Sequence, residues 1–183
     1  MAATDRADKQ LIDAYLSGDV SSFDLLYDRY RRPLYSYLNK LLPGQTATAD
    51  DLFQKTWMKA LANLARYQDQ QTFFSWLVRI AHNSAIDHFR REGKASHVDV
   101  DELSLAADGG APWEALSDRE LSDALSRAIA TLPPDQREVL LLRRQGVPFK
   151  AIAEVQGSTL NTVLGRMHYA VNKLRQQLTD WTT

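Results

Sequence analysis

Apolar residues recur at intervals of three and four on both sides of a central stretch that has no apolar period, and this restricts the chain to two separate helical packings. In the first block Phe23, Leu26, Tyr27, Tyr30, Leu34, Leu38 and Leu41 keep the helical interval, with Pro33 expected to kink or restart the helix. A second helix is expected from Thr48 as N-cap. Asp50 and Asp51 then sit at the positive end of the helix dipole, and Leu52, Phe53, Trp57, Leu61 and Leu64 point inward. A third runs from about Thr72 to Arg91 with Phe73, Trp76, Leu77, Ile80 and Ser84 inward, and Phe73 and Trp76 are read simply as core. Beyond the central stretch, Leu121, Leu125, Ile129 and Leu132 lead to Pro133-Pro134, where a new helix can begin because a first turn does not use the N–H that proline lacks. That helix has Val139 and Leu142 on its apolar face. Phe149, Ile152, Ala153 and Val155 follow, then a turn at Gly157-Ser158-Thr159 and a last helix with Val163, Met167, Ala170 and Leu174 inward. Helix, short glycine turn, helix is the shape of a helix-turn-helix, although any three-helix bundle contains such a pair. With no alternating strand pattern, the expected fold is all-α: two small helical domains joined by a flexible acidic linker, the C-terminal one with a helix-turn-helix.

Charge supports the same division. Residues 21–92 carry a net +3 and residues 117–183 a net +2, whereas residues 93–116 carry −4, with Asp99, Asp101, Glu102, Asp108 and Glu114 among Gly109, Gly110 and Pro112. The expected boundaries are therefore a first domain at 1–92, a linker at 93–116 and a second domain at 117–183. The absence of cysteine excludes disulfides, thiolate zinc sites, iron–sulfur clusters and cysteine catalysis. No apolar run approaches the roughly 20 residues that cross a bilayer, and the first residues lack the apolar stretch of a secretion signal. A cytoplasmic protein without membrane insertion is expected. His82 and His88 are six apart, on different helical faces, so no metal site is assigned. Ser84, Asp87 and His88 lie in one continuous helix with no oxyanion loop, and no phosphate-cradling glycine loop occurs. No enzyme, catalytic residue or cofactor is expected.

Read together, the two blocks are specific. The run from Phe73 to Arg91, FFSWLVRIAHNSAIDHFRR, resembles the promoter-melting helix of bacterial sigma factors of the extracytoplasmic-function type, and Asp51-Leu52-Phe53-Gln54 resembles their core-polymerase-binding helix. Leu132-Pro133-Pro134, Arg137-Glu138-Val139, Ile152-Ala153-Glu154, Gly157, Thr162-Val163, Arg166, Ala170 and Leu174-Arg175 resemble their C-terminal domain. The likeness covers about residues 8–178 in order and spacing. It implies a factor that binds core RNA polymerase and promoter DNA and directs initiation, with an anti-sigma factor as a further partner. The two domains would be region 2-like and region 4-like.

The resemblance assigns core-polymerase binding to Asp51, Gln54, Lys55 and Met58, with Lys55 standing where the family often has Glu. It places minus-ten recognition on Arg79, Asn83, Asp87, Arg90 and Arg91, with Asn83 reading an extruded base and the loop Tyr67–Thr72 helping to form its pocket. Independently, Arg79, Asn83, Asp87 and Arg90 fall at steps of four, four and three and so share one polar, largely basic face, which suits a melted strand but by itself reads first as an ordinary solvated helix face. Minus-thirty-five recognition would fall to Asn161, Thr162, Arg166 and Lys173, with Arg166 equally readable as structural. There the chain departs from the family: Leu164, Tyr169 and Val171 replace frequent basic residues, and Gly165 a Ser, which reduces the possible phosphate contacts. Two other functions fit parts of the chain. One is a sigma mimic that sequesters an anti-sigma factor without touching promoters; the other is an ordinary helix-turn-helix repressor, which leaves the first block unexplained.

Overall fold

The computed structural model describes residues 6–68, 72–91 and 118–179, with the side chains of 118–121 and 179 excepted; the acidic connector at 93–116 lies outside the described residues. The chain divides into two compact units, Met1–Ala95 and Ser96–Thr183. The first contains α1 (Asp8–Leu16), α2 (Val20–Leu41), α3 (Thr46–Asn63), a 3-10 turn (Leu64–Arg66) and α4 (Phe73–Arg91). The second contains α5 (Asp118–Ala130), α6 (Pro134–Arg144), α7 (Phe149–Gln156) and α8 (Leu160–Thr179). Among the described residues every regular element is helical.

In the first unit α1 packs on α2, and α3 packs against both α2 and α4. Its core holds Leu11, Leu26, Leu34, Tyr37, Leu38, Leu52, Leu64, Phe73 and Leu77, all with essentially no solvent exposure. Burying each such side chain is worth about 1.5–3 kcal/mol. An aromatic ladder sets the register of α2 on α3: Phe23 and Tyr27 meet Trp57 at ring-centroid distances of 5.9 and 4.9 Å, and Tyr35 meets Phe53 edge-on at 5.5 Å. Tyr30 continues the contact to α4, with Phe73 at 5.3 Å and Phe74 stacked at 5.9 Å.

Helix α1 has no counterpart in the sequence reading, since nine residues carry only one buried pair, Leu11 and Ile12. It is tied down electrostatically. The Asp8 carboxylate accepts from the Arg29 guanidinium and from the Tyr30 hydroxyl. Burial, and then the adjacent carboxylate, push the Tyr30 phenol well above its usual pKa, so it stays a donor. At the start of α2 the Ser21 and Ser22 hydroxyls donate to Asp19 at 2.6 and 2.7 Å and hold its carboxyl below the ordinary carboxylate range.

Two expected boundaries are corrected. Helix α2 runs continuously through Pro33 rather than restarting there. Helix α3 opens at Thr46, with Gln45 as N-cap, so Thr48 lies inside its first turn and does not cap it. The upstream Pro43-Gly44 turn, with Gly44 at φ 78°, delivers the chain to the helix earlier than the side-chain signal suggested. Where threonine does cap, the geometry is clear. The Thr72 hydroxyl accepts from the Ser75 backbone N–H at 3.2 Å and starts α4.

In the second unit α8 packs on α5, α6 and α7. Leu132, Val139, Leu142, Ile152, Val163 and Ala170 form its center, while Met167, expected inward, is half-exposed. Gly157 ends α7 in the left-handed conformation at φ 59°, and Thr159 caps α8 by accepting from the Thr162 N–H at 3.2 Å. The end of α5 is capped by a buried cation. Arg137 donates from Nε to the Ile129 carbonyl at 3.2 Å and from Nη2 to the Ala130 and Leu132 carbonyls at 2.7 and 2.8 Å. Burial lowers the pKa of this guanidinium.

Two stability changes follow. Replacing Arg137 with Met leaves those carbonyls without their donor and should cost about 2–4 kcal/mol, read as an earlier urea transition of the full chain; an unchanged transition would deny Arg137 its capping role. Gly165 lies inside α8 with nothing within 4 Å of where a Cβ would stand. Gly165→Ala should therefore stabilise by about 0.5–1 kcal/mol, and a lower melting temperature would contradict this.

Candidate functional site

Three groups of side chains in the described residues carry the expected chemistry. The first lies along the outward face of α3. Asp51, Gln54, Lys55 and Met58 fall at relative positions zero, three, four and seven, so the helix brings all four to one side. Met58 is 72% exposed, an unusual position for a thioether, and Leu61 one turn on is 41% exposed. Lys55 forms an ion pair with Asp51. The positive charge at position 55 is thus met by its own neighbour, and the pair adds no net charge to the surface.

The second group lies where α3 runs antiparallel to α4. The Lys59 ammonium donates to the Ser84 hydroxyl at 3.0 Å, which fixes the register of the two helices. Next to this bond is an open cavity of about 300 Å³ lined by Lys59, Asn63 and Arg66 from the α3 side and by Trp76, Ile80 and Asn83 from α4. That volume is at the lower end of small-molecule pockets, roughly 300–1,000 Å³. Trp76 corrects the sequence reading: it is half-exposed on the cavity wall and not core, whereas Phe73 is fully buried as expected. Its indole is braced from behind by Tyr67 at 5.4 Å and Phe73 at 5.5 Å. The cavity therefore combines an aromatic wall, two carboxamides and two cations. Of the loop expected to form the pocket, Gln68 and Thr72 are exposed and Tyr67 supports Trp76, while residues 69–71 lie outside the described residues.

Arg79, Asp87, Arg90 and Arg91 are exposed with Asn83 on α4, so the helix brings the five expected residues to one exposed side. Arg91 folds back to donate from Nε to the Asp87 backbone carbonyl at 3.0 Å. Sequence reasoning missed Lys59, Asn63, Arg66 and the wall position of Trp76. The first three belong to α3 and the 3-10 turn that follows it, a segment whose period shows mainly on its apolar side. The signal that could have found them is their own step of four and three, read against the antiparallel partner.

The third group is on α8, and there the expected residues are dispersed. Asn161 and Thr162 are exposed in the first turn, the Thr162 hydroxyl shared with the capping Thr159 at 2.8 Å. Lys173 lies about 18 Å further along the helix, at 1.5 Å per residue, and its ammonium points to the Thr131 carbonyl at 3.4 Å. Arg166 is turned inward to Asp135 and Gln156. Leu164, Gly165, Tyr169 and Val171 are half-buried. No group of three or more His, Asp or Glu side chains able to hold a metal ion occurs among the described residues, and no helix there is long and apolar enough to cross a membrane.

Comparison with known proteins gives these surfaces a context. Residues 26–95 match the family model for Sigma-70 region 2 and residues 122–174 that for Sigma-70, region 4. The chain is 28% identical over 182 residues to the ECF RNA polymerase sigma factor SigW of Bacillus subtilis, covering 94% of this chain and 97% of that protein. It is 29% identical over 173 residues to the ECF RNA polymerase sigma-E factor of Escherichia coli K12, covering 89% and 90%. Its fold is similar to that of the sigma factor RpoE from Bartonella quintana, solved with the anti-sigma factor NepR, at TM-score 0.66, 23% identity and coverage of 87% and 98%. CnrH, solved with the cytosolic domain of CnrY, gives TM-score 0.66 at 24% identity and coverage of 96% and 99%. With regions 2 and 4 matched in order and the likeness running nearly end to end, the chain belongs to the RNA polymerase sigma factors of the extracytoplasmic-function type.

Proposed function

We propose that this sigma factor divides its work among the three surfaces just described: the outer face of α3 docks on core RNA polymerase, the cavity between α3 and α4 receives an unstacked base of the melted minus-ten strand, and the first turn of α8 meets the minus-thirty-five duplex. The overall function, promoter-directed initiation of transcription, follows from the family. The observation that carries the finer reading is the cavity itself, because its lining is what capture of a single base requires. A flipped base needs a planar apolar surface to replace the stacking it loses, worth roughly 1–3 kcal/mol per base, and amide groups to meet its edge. Trp76 supplies the first, and Asn63 and Asn83 the second. Lys59 and Arg66 at the rim, with Arg79, Arg90 and Arg91 along α4, offer cations to the strand's phosphates.

The α3 face suits a protein partner. An exposed methionine beside an exposed leucine is adaptable apolar surface, and Gln54 offers a hydrogen-bonding amide at its edge. Because Asp51 neutralises Lys55, docking depends on packing more than on net charge. In this reading the chain works in the cytoplasm and catalyses nothing itself. An anti-sigma factor is a further proposed partner, supported by a protein of similar fold, RpoE of Bartonella quintana, having been solved with the anti-sigma factor NepR. A sigma mimic that contacts no promoter is not favoured: it would have no use for an aromatic cavity bordered by cations.

Two measurements test these assignments. Asn83→Ala should reduce open-complex formation roughly tenfold at a fully paired promoter and clearly less at one already unpaired over the minus-ten element, since the loss lies in base capture. Equal losses on both templates would remove Asn83 from the pocket. Gln54→Ala should weaken binding to core polymerase roughly threefold or more while shifting chain stability by less than about 0.5 kcal/mol, as for other exposed helix positions. Unaltered affinity in a core titration would move the docking surface off this face.

A further inference from the structure

The α6, α7 and α8 helices of the second unit are joined by a polar cluster centred on Arg166, a residue that the family resemblance offered to promoter DNA. Arg166, one and a half turns into α8, donates from Nη2 to Asp135 Oδ2 at 2.7 Å and from Nη1 to Gln156 Oε1 at 2.8 Å. Gln156, the last residue of α7, uses its other amide end as well: Nε2 donates to the Asp135 backbone carbonyl at 3.0 Å and to Glu138 Oε2 at 2.9 Å. Asp135 is in the first turn of α6, and Glu138, one turn later, is buried. The Arg166 side chain is only 15% exposed, and its Nε is buried. Both terminal guanidinium nitrogens are thus committed within the protein.

We propose that Arg166 is a positioning residue that fixes the angle of α8 against α6 and α7, and that it makes no contact with promoter phosphate or bases. The geometry has a direct consequence for recognition. The turn Gly157-Ser158-Thr159 carries one left-handed residue and a single threonine cap, so by itself it leaves the start of α8 loosely held. Clamping α8 seven residues past its cap to both the end of α7 and the start of α6 holds Asn161 and Thr162 at one fixed presentation. Reaching a phosphate would require Arg166 to break a charge-assisted pair and leave Gln156 Oε1 without its donor, which is a poor exchange in a partly buried site. The consequence for DNA rests on the reading of α8 as the duplex-reading helix; the clamp itself does not.

Asp135→Asn separates the two roles, because it loosens the clamp without removing any cation that could touch DNA. In the full chain, Asp135→Asn and Arg166→Lys should both speed amide hydrogen exchange in residues 158–163, by about tenfold, and the double variant should add little to either single one. In holoenzyme bound to a promoter with an intact minus-thirty-five element, assayed well below the unfolding transition, both variants should weaken binding about three- to tenfold. The slope of log affinity against log salt should not change. A slope lowered by about one in Arg166→Ala, with Asp135→Asn unaffected, would make Arg166 a phosphate contact and overturn the proposal. Unchanged exchange at 158–163 would overturn it too, as would unchanged affinity with only the melting temperature reduced, which is the result for a merely structural residue. If exchange responds as expected but holoenzyme affinity is indifferent to scrambling the minus-thirty-five element, the clamp stands and the duplex-reading role of α8 falls.

Discussion

Antiparallel packing of α3 against α4 is the constraint on which the first unit's cavity, and the function proposed for it, depend. Each helix offers small buried residues, Ala49 and Ala60 on α3 and Ala81, Ser84 and Ala85 on α4, so the two backbones can come close. Close approach is what lets Lys59 span from one helix to Ser84 on the other. It also sets Lys59 and Asn63 of α3, with Arg66 of the 3-10 turn that follows, opposite three side chains of α4 around one cavity. A slip of one residue in this register would rotate Asn83 or Asn63 by about 100° away from the groove, so the same apolar contacts that stabilise the unit also specify its site. Helix α2 with its aromatic ladder then serves as a backing plate, leaving the outer face of α3 uncovered.

The second unit solves a different problem with different chemistry. Two of its helices are short, α6 with eleven residues and α7 with eight, so apolar burial alone fixes their relative angles weakly. Two arginines compensate. Arg137 gathers the carbonyls at the end of α5, and Arg166 gathers α6 and α7 onto α8. Both belong to helices whose charged residues invite a nucleic-acid interpretation, yet both are directed inward. Counting basic residues therefore overstates the cations that α8 presents outward: Arg166 is turned inward, and Leu164, Tyr169 and Val171 carry no charge.

Much of this was legible in the sequence because apolar period is a strong and local signal. The expected inward stripes of α2, α3 and α4 agree with the buried Leu26, Leu34, Leu38, Leu52, Leu64 and Leu77, but Leu61, expected inward, is 41% exposed on the outer side of α3. The family resemblance, with its sigma factor function, agrees with the matched regions. What was illegible depends on partners distant in sequence. Trp76 has the same apolar period as Leu77, and only its place at the edge of the α3–α4 groove decides that it lines a cavity. Arg166 looks like a candidate DNA contact until Asp135, thirty-one positions earlier, is found beside it. Thr48 had the right residue type for a cap, but the Pro43-Gly44 turn had already started the helix. Helix α1 escaped notice because its anchor is polar, Asp8 on Arg29 and Tyr30, and no hydrophobic pattern reports such a bond.

Within the described part of each unit, successive helices are joined by connections of only a few residues and pack chiefly on near neighbours in the chain. Such local topology carries little loop-closure entropy, and helical domains of this kind fold in roughly microseconds to milliseconds. A ribosome adding roughly 5–20 residues per second needs several seconds to make the remainder of the chain after α4 has emerged. The outer face of α3, proposed to dock on polymerase, is accordingly complete long before α8 exists. A nascent chain can meet the partner of its first unit while still lacking α8, the helix proposed to meet upstream duplex, and the order in which the two surfaces become available during synthesis is built into the order of the helices.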